Sequence, residues 1–363
     1  MLTFFGAAFW LVNCAIAPVI SCAGLLIQSA YCTGGSSSAE QAGLKLLKWG
    51  YLLFANCALG LTLSLYLHLI SGRTTRNVAQ ATAPNTKDLQ EPYECADLAG
   101  SLAYCHKDPC NGAWKPPRAH HCSTCGVCRL GFDHHCPWLG NCVTDQDMKS
   151  FLTFLLSAPV ALVICVFPIF RVLYRHCAKA LLASQSDAVV RSMWWDRWYS
   201  WLFGGPLGRH GIGFALGFRA MRRGRDSSMI GRGLILQPRL RIAWLCWLGA
   251  VLSFFCVVLA VMTARSYLRG LSTLDTLGSE AAAKILVCFP SATAHTEFPS
   301  KVLQNTTGYR PYDLGLKGNW RRLRHQYLFK GPPCSRSSHS FHWPEFNPEM
   351  LRQLRKTVNG KEA

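Results

Sequence analysis

The chain has 363 residues, with 38 Lys and Arg against 19 Asp and Glu, a formal charge of +19 at pH 7, and half of its residues are apolar. The apolar residues pile into four long runs instead of spreading as they do in a soluble core, which argues against a soluble globular protein. With membrane-length runs present, the basic excess is assigned to an anionic membrane surface, and nucleic acid is set aside as a partner.

The four runs cover roughly 3–31, 49–70, 151–174 and 242–263, and none contains an acidic side chain. Each reaches the length of about 20 residues that a helix needs to cross hydrocarbon. The first run has no basic residue before it and outlasts a signal-peptide apolar region, so it is expected to stay as an anchor. Residues 1–70 thus hold helices one and two, 151–174 the third and 242–263 the fourth. Pro159 and Pro168 fall inside the third run, where they are tolerable as kinks.

Between spans two and three, 71–150 is polar and cysteine-rich. Seven of the chain's 18 cysteines sit between 105 and 142. Candidate ligands run in the order Cys105, Cys110, His121, Cys122, Cys125, Cys128, His134, His135, Cys136 and Cys142. Closed zinc sites take four ligands each, and close pairs such as Cys122 and Cys125 are typical of them. Two sites consume eight of the ten groups. His134 with Cys136 is the remaining pair that stands beside an acid, Asp133. A thiol next to an imidazole held by a carboxylate has the logic of an activated nucleophile. A disulfide-linked extracellular module and a zinc module without chemistry are the competing readings.

Beyond the third span, 175–241 is a basic, Trp-rich loop. Within it "MWWDRWYSWLF" sets Trp194, Trp198 and Trp201 on one helical face, which reads either as a helix in the headgroup region or as a packed cap. "GGPLGRHGIGFALG" reads as a flexible linker. After the fourth span come 264–330 and a polar, basic tail, 331–363, expected to be mobile.

The run "KPPRAHHCSTCGVCRLGFDHHCPWLGNCV", Lys115 to Val143, resembles the cysteine-rich domain of the DHHC-type protein S-acyltransferases, the palmitoyltransferases. "STLD", Ser272 to Asp275, resembles that family's Thr-Thr-x-Glu element. "RPYDLGLKGNW", Arg310 to Trp320, resembles its C-terminal Asn-Pro-Tyr-Asp-x-Gly motif with the Asn that follows.

The resemblance implies an α-helical integral membrane protein, with four transmembrane helices and a cytosolic two-zinc cysteine-rich domain between spans two and three. It implies one zinc on Cys105, Cys110, His121 and Cys128 and a second on Cys122, Cys125, His135 and Cys142; because four residues separate Cys105 from Cys110 where the family has two, Asp108 and His106 are alternative donors to the first. It makes Cys136 the acylated nucleophile, His134 its base, Asp133 the group that orients His134, and Thr273 the residue near the Asp133 carboxylate. Because His134 and His135 are neighbours with different tasks, their rings are expected to point in opposite directions.

The implied reaction moves a long-chain acyl group from a fatty acyl-CoA such as palmitoyl-CoA through Cys136 to cytosolic cysteine thiols of membrane-proximal proteins. Lys115, Arg118, Arg129 and Lys149 are candidates for the CoA phosphates. Trp138 and Pro137 stand where they could brace the thioester. The location implied is an endomembrane, Golgi or ER, or the plasma membrane. A catalytically idle membrane scaffold of the same fold is the alternative. Asn305 heads an Asn-Thr-Thr sequon that falls on the cytosolic side and is expected to be unmodified.

Overall fold

The computed structural model describes residues 38–71, 82–203, 205–223, 240–277, 285–290, 301–329, 343–358 and 360. The first expected span, 3–31, lies outside them. The other three apolar runs are helices: α1 (Ser38–Ile70), then, after strands β1 (Tyr93–Cys95), β2 (Tyr104–Cys105), β3 (Ala113–Trp114), β4 (His120–Cys122), β5 (Val127–Arg129), β6 (Phe132–Cys136) and β7 (Asn141–Thr144), α2 (Met148–Ser186). Next come α3 (Gly205–Arg223) and α4 (Leu240–Leu268), a short α5 (Thr273–Leu277), strands β8 (Leu286–Phe289) and β9 (Lys301–Gln304), and two amphipathic helices, α6 (Gly315–His325) and α7 (Pro348–Val358).

Among the described residues, three stretches are long and apolar enough to cross a membrane: Lys45–Ile70, Asp145–Phe167 and Ala243–Leu268. Of their apolar windows 22%, 33% and 11% are buried, so among the described residues much of that apolar surface is left uncovered, as suits a hydrocarbon surround. Helix α2 runs unbroken through Pro159 and Pro168. At 39 residues it is about 58 Å long and outlasts a hydrocarbon core of about 30 Å.

The described chain divides into two units. One consists of 38–61 with the described parts of 157–256. There α1 meets α2 through Ala55 and Cys165, both fully buried, and the Tyr51 hydroxyl donates to the Ile164 carbonyl at 3.0 Å. Past the end of α2, Asp187 caps a single helical turn by accepting from the N–H groups of Val189 and Val190.

Two expectations about this stretch fail for identifiable reasons. The single helical face of tryptophans does not form. Trp194 lies in a π-helical turn, Arg191–Trp195, is buried, and donates its indole N–H to the Arg209 carbonyl at 2.9 Å. Trp198 and Trp201 belong to a separate 3-10 turn and stay exposed, with the Arg209 guanidinium 4.3 Å from the Trp201 ring centroid. The arrangement is a packed cap, closed by an indole hydrogen bond and a cation over an aromatic face.

The glycine-rich stretch read as a linker is helix α3. Its glycines serve close approach: a Cβ at Gly217 would fall 1.8 Å from the Ala180 carbonyl oxygen, and one at Gly213 would fall 2.3 Å from the Trp195 ring.

The second unit consists of 62–156 and the described residues from 257 onward. Strand β8 is the centre of a three-stranded antiparallel sheet in the order β1, β8, β9. Helix α7 covers it, with Met350 and Leu354 packed on Val287, all three buried. The tail expected to be mobile from 331 onward is therefore ordered over 348–358, because its i, i+4 apolar pair finds the face of the central strand. The remaining strands form three two-stranded hairpins, β2–β3, β4–β5 and β6–β7, which carry the cysteines and histidines.

Candidate active site and metal-ligand clusters

Strand alternation sorts the candidate ligands. Successive side chains on a strand point to opposite faces. On β4, His121 and Cys122 are neighbours and go to different clusters, and on β6 His135 joins a cluster while His134 stays outside both. The first cluster gathers Cys105, Cys110, His121 and Cys128, and the second Cys122, Cys125, His135 and Cys142. Within each, the four ligand atoms lie within 4.8 Å of one another.

Pairing fixes the partners: His121 stands opposite Cys128 in β4–β5, and His135 opposite Cys142 in β6–β7. The knuckle between Cys122 and Cys125 closes on Gly126, whose N–H donates to the Cys122 carbonyl at 2.8 Å and whose φ is +66°. Gly112, at φ +84°, closes the longer Cys105–Cys110 loop in the same way, donating to the Cys105 carbonyl at 2.7 Å. That wider loop accommodates the four residues between the two cysteines. His106 and Asp108, the alternative donors, are not in the cluster.

The spacing fits a tetrahedral ion. Metal–sulfur and metal–nitrogen bonds of about 2.3 and 2.0 Å put sulfur about 3.6 Å from nitrogen across a tetrahedron. His121 Nδ1 is 3.6 Å from Cys105 Sγ and 3.9 Å from Cys128 Sγ. His135 Nδ1 is 3.4, 3.6 and 3.7 Å from the sulfurs of Cys125, Cys122 and Cys142. Each cluster could hold a metal ion.

The groups outside the clusters converge on Asp133. The β6–β7 register slips by one residue between Phe132 and His134, so Asp133 is the extra residue of a bulge. In a regular strand Asp133 and His134 would face opposite ways. The bulge turns them together, and His134 Nδ1 sits 2.8 Å from Asp133 Oδ2. His134 and Cys136, two positions apart on the regular part of β6, share a face, so the imidazole's Nε2 is left toward the thiol.

Asp133 is further held by Thr273, whose N–H donates to Oδ1 at 3.0 Å and whose hydroxyl donates to Oδ2 at 2.6 Å. "STLD" builds this contact as a capping box. The Ser272 N–H donates to Asp275 Oδ2 at 2.8 Å, and the Asp275 N–H to Ser272 Oγ at 3.2 Å, which starts α5 and turns the Thr273 N–H outward. The capping roles of Ser272 and Asp275 were missed from the sequence, although Ser-x-x-Asp is itself a capping signature.

Electrostatics follow from these contacts. Burial alone pushes the Asp133 carboxyl up, but the hydrogen bonds from His134 and Thr273 hold it below the usual carboxylate range. Burial works against a charged His134, yet Asp133 and Cys136 outweigh it and raise the imidazolium pKa to about 9. Cys136 is buried, and the chain turns sharply after it through the N–H groups of Leu139 and Gly140, both donating to its carbonyl.

Helix ends surround this site. The His134 ring meets Phe151 of α2 edge-on, with centroids 5.6 Å apart. Asn141 Nδ2 donates to the Leu69 carbonyl at the end of α1, at 2.8 Å. Thr273 follows α4 by five positions.

The residues expected to meet phosphate are less uniform. Lys115 and Arg129 are half-buried on the module, and Trp138 is 37% exposed just after Cys136. Arg118 has a φ of +59°, gives its carbonyl to the Phe132 N–H at 3.2 Å, and lays its guanidinium 5.4 Å from the Tyr312 ring centroid. Tyr312, in "RPYDLG", donates to the half-buried Glu94 carboxyl, whose pKa is pushed up by desolvation. Lys149 is committed elsewhere, its Nζ donating to the carbonyls of Arg324 and Gln326 at 2.9 and 2.8 Å.

Two four-ligand Cys/His clusters that could hold metal ions flank the Asp133–His134 pair and Cys136, in a chain with helices long and apolar enough to cross a membrane. Residues 101–277 match the family model described as DHHC palmitoyltransferase. Over this segment, just under half of its length, the chain is similar to the DHHC palmitoyltransferase domain. It is 47% identical over 74 residues to palmitoyltransferase ERF2 of Candida glabrata and 47% identical over 76 residues to the probable protein S-acyltransferase 13 of Arabidopsis thaliana. It is also 44% identical over 81 residues to palmitoyltransferase ZDHHC2 of Mus musculus. These matches cover 19%, 20% and 22% of this chain and 22%, 24% and 20% of those relatives, so the chain spans about a fifth of the length of the curated relatives it matches.

Proposed function

We propose that the protein is a protein-cysteine S-acyltransferase that carries a long-chain acyl group from acyl-CoA, through a thioester on Cys136, to cysteine thiols of membrane-proximal proteins. The observation that carries this reading is the Asp133–His134 pair at 2.8 Å, on the same strand as Cys136 and outside both ligand clusters. With its pKa raised to about 9, His134 is an imidazolium at neutral pH, so Nε2 already holds the Cys136 proton, and Asp133, through Nδ1, stabilises that charge. The thiolate attacks the thioester carbonyl carbon and the carbon–sulfur bond to CoA breaks, with the proton leaving on the CoA thiol. A substrate thiol then attacks the Cys136 thioester, gives its proton to His134, and takes the acyl group as Cys136 is restored. One thioester replaces another, so the protein's task is mainly positioning.

In this reading Cys105, Cys110, His121 and Cys128 hold one structural zinc and Cys122, Cys125, His135 and Cys142 the other. The ions brace the hairpins and take no part in the transfer. Lys115, Arg118 and Arg129 serve the CoA phosphates, and Trp138 the thioester end of the chain. The acyl chain lies among the apolar helices, where each buried methylene contributes about 0.8 kcal/mol.

With the run 3–31 as a fourth span, the zinc module and both ends are cytosolic, in an endomembrane or the plasma membrane. Asn305 is buried, and its Nδ2, the atom a glycan would need, donates to the Tyr309 carbonyl at 2.9 Å, so the sequon stays unmodified in this fold whichever side it lies on.

The test is hydroxylamine-sensitive incorporation of an alkyne-tagged palmitoyl chain into purified protein, comparing wild type with Cys136→Ser while zinc content is measured on both. Label lost in the variant with zinc unchanged supports the acyl-enzyme. Zinc-loaded wild type that takes up no label at any chain length overturns it.

A further inference from the structure

Helix α6 carries more than its contribution to the fold. Its inner face is spent on the ends of two membrane-length helices. Asn319 Nδ2 donates to the carbonyl of Leu268, the last residue of α4, at 3.0 Å, and Leu323 is buried beside it. Just past α6, the Gln326 side chain accepts from the N–H of Lys149 at 2.9 Å and donates to the Tyr267 hydroxyl at 3.0 Å, while Arg322 pairs with Asp145. The Ser150 hydroxyl donates to the Leu328 carbonyl. These bonds tie α6 to the point where the α2 and α4 spans leave the hydrocarbon.

The outer face of α6 has an unusual composition for a face left to water. Leu316 and Trp320, one turn apart, are 67% and 57% exposed, and Tyr327 just beyond the helix is 76% exposed. Lys317, Arg321 and Arg324 are exposed on the adjoining strip. Among the described residues none of these three cations is in an ion pair, although α6 already spends Arg322 on Asp145.

We propose that this face is a docking surface for anionic phospholipid headgroups, with Leu316 and Trp320 set into the boundary between headgroups and acyl chains and Lys317, Arg321 and Arg324 on the lipid phosphates and carboxylates. An interfacial helix pairs an apolar strip with Lys and Arg in this way, and Trp and Tyr collect at that depth. A soluble phosphate compound would satisfy the three cations but leave the indole and leucine in water. The tie to two span ends holds the face where a bilayer surface lies. The inference rests on the membrane-spanning reading of α2 and α4 and not on the acyl-transfer reading, so either can fail without the other.

The experiment places a photo-crosslinking benzoylphenylalanine at position 320 of the full chain, in nanodiscs of phosphatidylcholine with one-fifth phosphatidylserine, and weighs the adducts by mass spectrometry. A second sample adds Lys317→Glu, Arg321→Glu and Arg324→Glu, with zinc content confirming that the module is folded. The expected result is phosphatidylserine adducts enriched over their share of the lipid by roughly fivefold or more, since each cation at an anionic surface contributes about that factor, and enrichment lost on charge reversal. Adducts in proportion to lipid composition, enrichment that survives charge reversal, or no lipid adduct at all would each overturn the proposal. Zinc content and Cys136 labelling of the same samples report separately on the acyl-transfer reading.

Discussion

Thr273 grips Asp133 with two donors, its N–H at 3.0 Å from Oδ1 and its hydroxyl at 2.6 Å from Oδ2. One residue after α4 and its turn thus fixes the carboxylate that fixes His134. Hydrogen bonds to a charged group are worth about 1.5–3 kcal/mol, which makes this contact large enough to matter kinetically.

Thr273→Val keeps the N–H and the shape but removes the hydroxyl. Acyl-enzyme formation is expected to slow by roughly ten- to a hundredfold with zinc content unchanged, and Thr273→Ser should recover most of it. A single-turnover assay of Cys136 labelling decides this. Equal rates for all three proteins would remove Thr273 from the positioning chain.

The His134 imidazolium pKa is raised to about 9, from an ordinary value of 6.5. A raised pKa means that the protonated ring stabilises the fold. That contribution is fully present below about pH 6.5 and disappears as pH rises through about 9. Wild type should therefore lose thermal stability between pH 6.5 and 9.5 more steeply than His134→Gln. Parallel pH profiles of the two melting temperatures would count against a charged His134.

Cys122→Ser or His135→Ala should lower zinc content and melt the hairpins, because structural zinc contributes folding energy directly. Cys136→Ser should leave both ions in place. Zinc quantified on purified proteins, alongside their melting curves, separates the eight clustered ligands from the thiol outside them.

Gly270 stands at φ +66°, and a Cβ there would lie 2.6 Å from the Asp313 Cα. Gly270→Ala is expected to cost at least about 1–2 kcal/mol from the left-handed backbone alone, with the collision against Asp313 added. A melting temperature matching wild type would mean that the turn between α4 and Thr273 is looser than described.

Leu354→Ala on α7 should cost about 2–5 kcal/mol if the helix is integral to the sheet face it covers. Limited proteolysis is the check. Cleavage near 348–358 that is as fast in wild type as in the variant would show that α7 adds nothing.

How much of this was legible beforehand differs by element. The ten Cys and His candidates and the acid beside His134 are local facts, readable from spacing and ligand arithmetic, and the family resemblance divided them into clusters that the hairpins reproduce. The apolar runs were equally legible, since twenty consecutive apolar residues need no partner to be recognised. The glycine-rich stretch misled because glycine's backbone freedom and its use in close packing look the same in one dimension. Only the approach of Ala180 and Trp195 separates them. The tail misled because Met350 and Leu354 are two apolar residues in a basic segment until Val287 provides a face.

The sequence by itself determined the membrane-length helices, the two sets of metal-ligand atoms and the chemical identities of Asp133, His134 and Cys136, because each depends on residue type and near spacing. The tertiary structure decided what those groups face. A one-residue slip against β7 turns Asp133 toward His134 instead of away from it. A capping box 140 residues downstream brings two further donors to the same carboxylate. Register and long-range contact are settled by the pairing of distant strands and helices, and no local pattern carries that information.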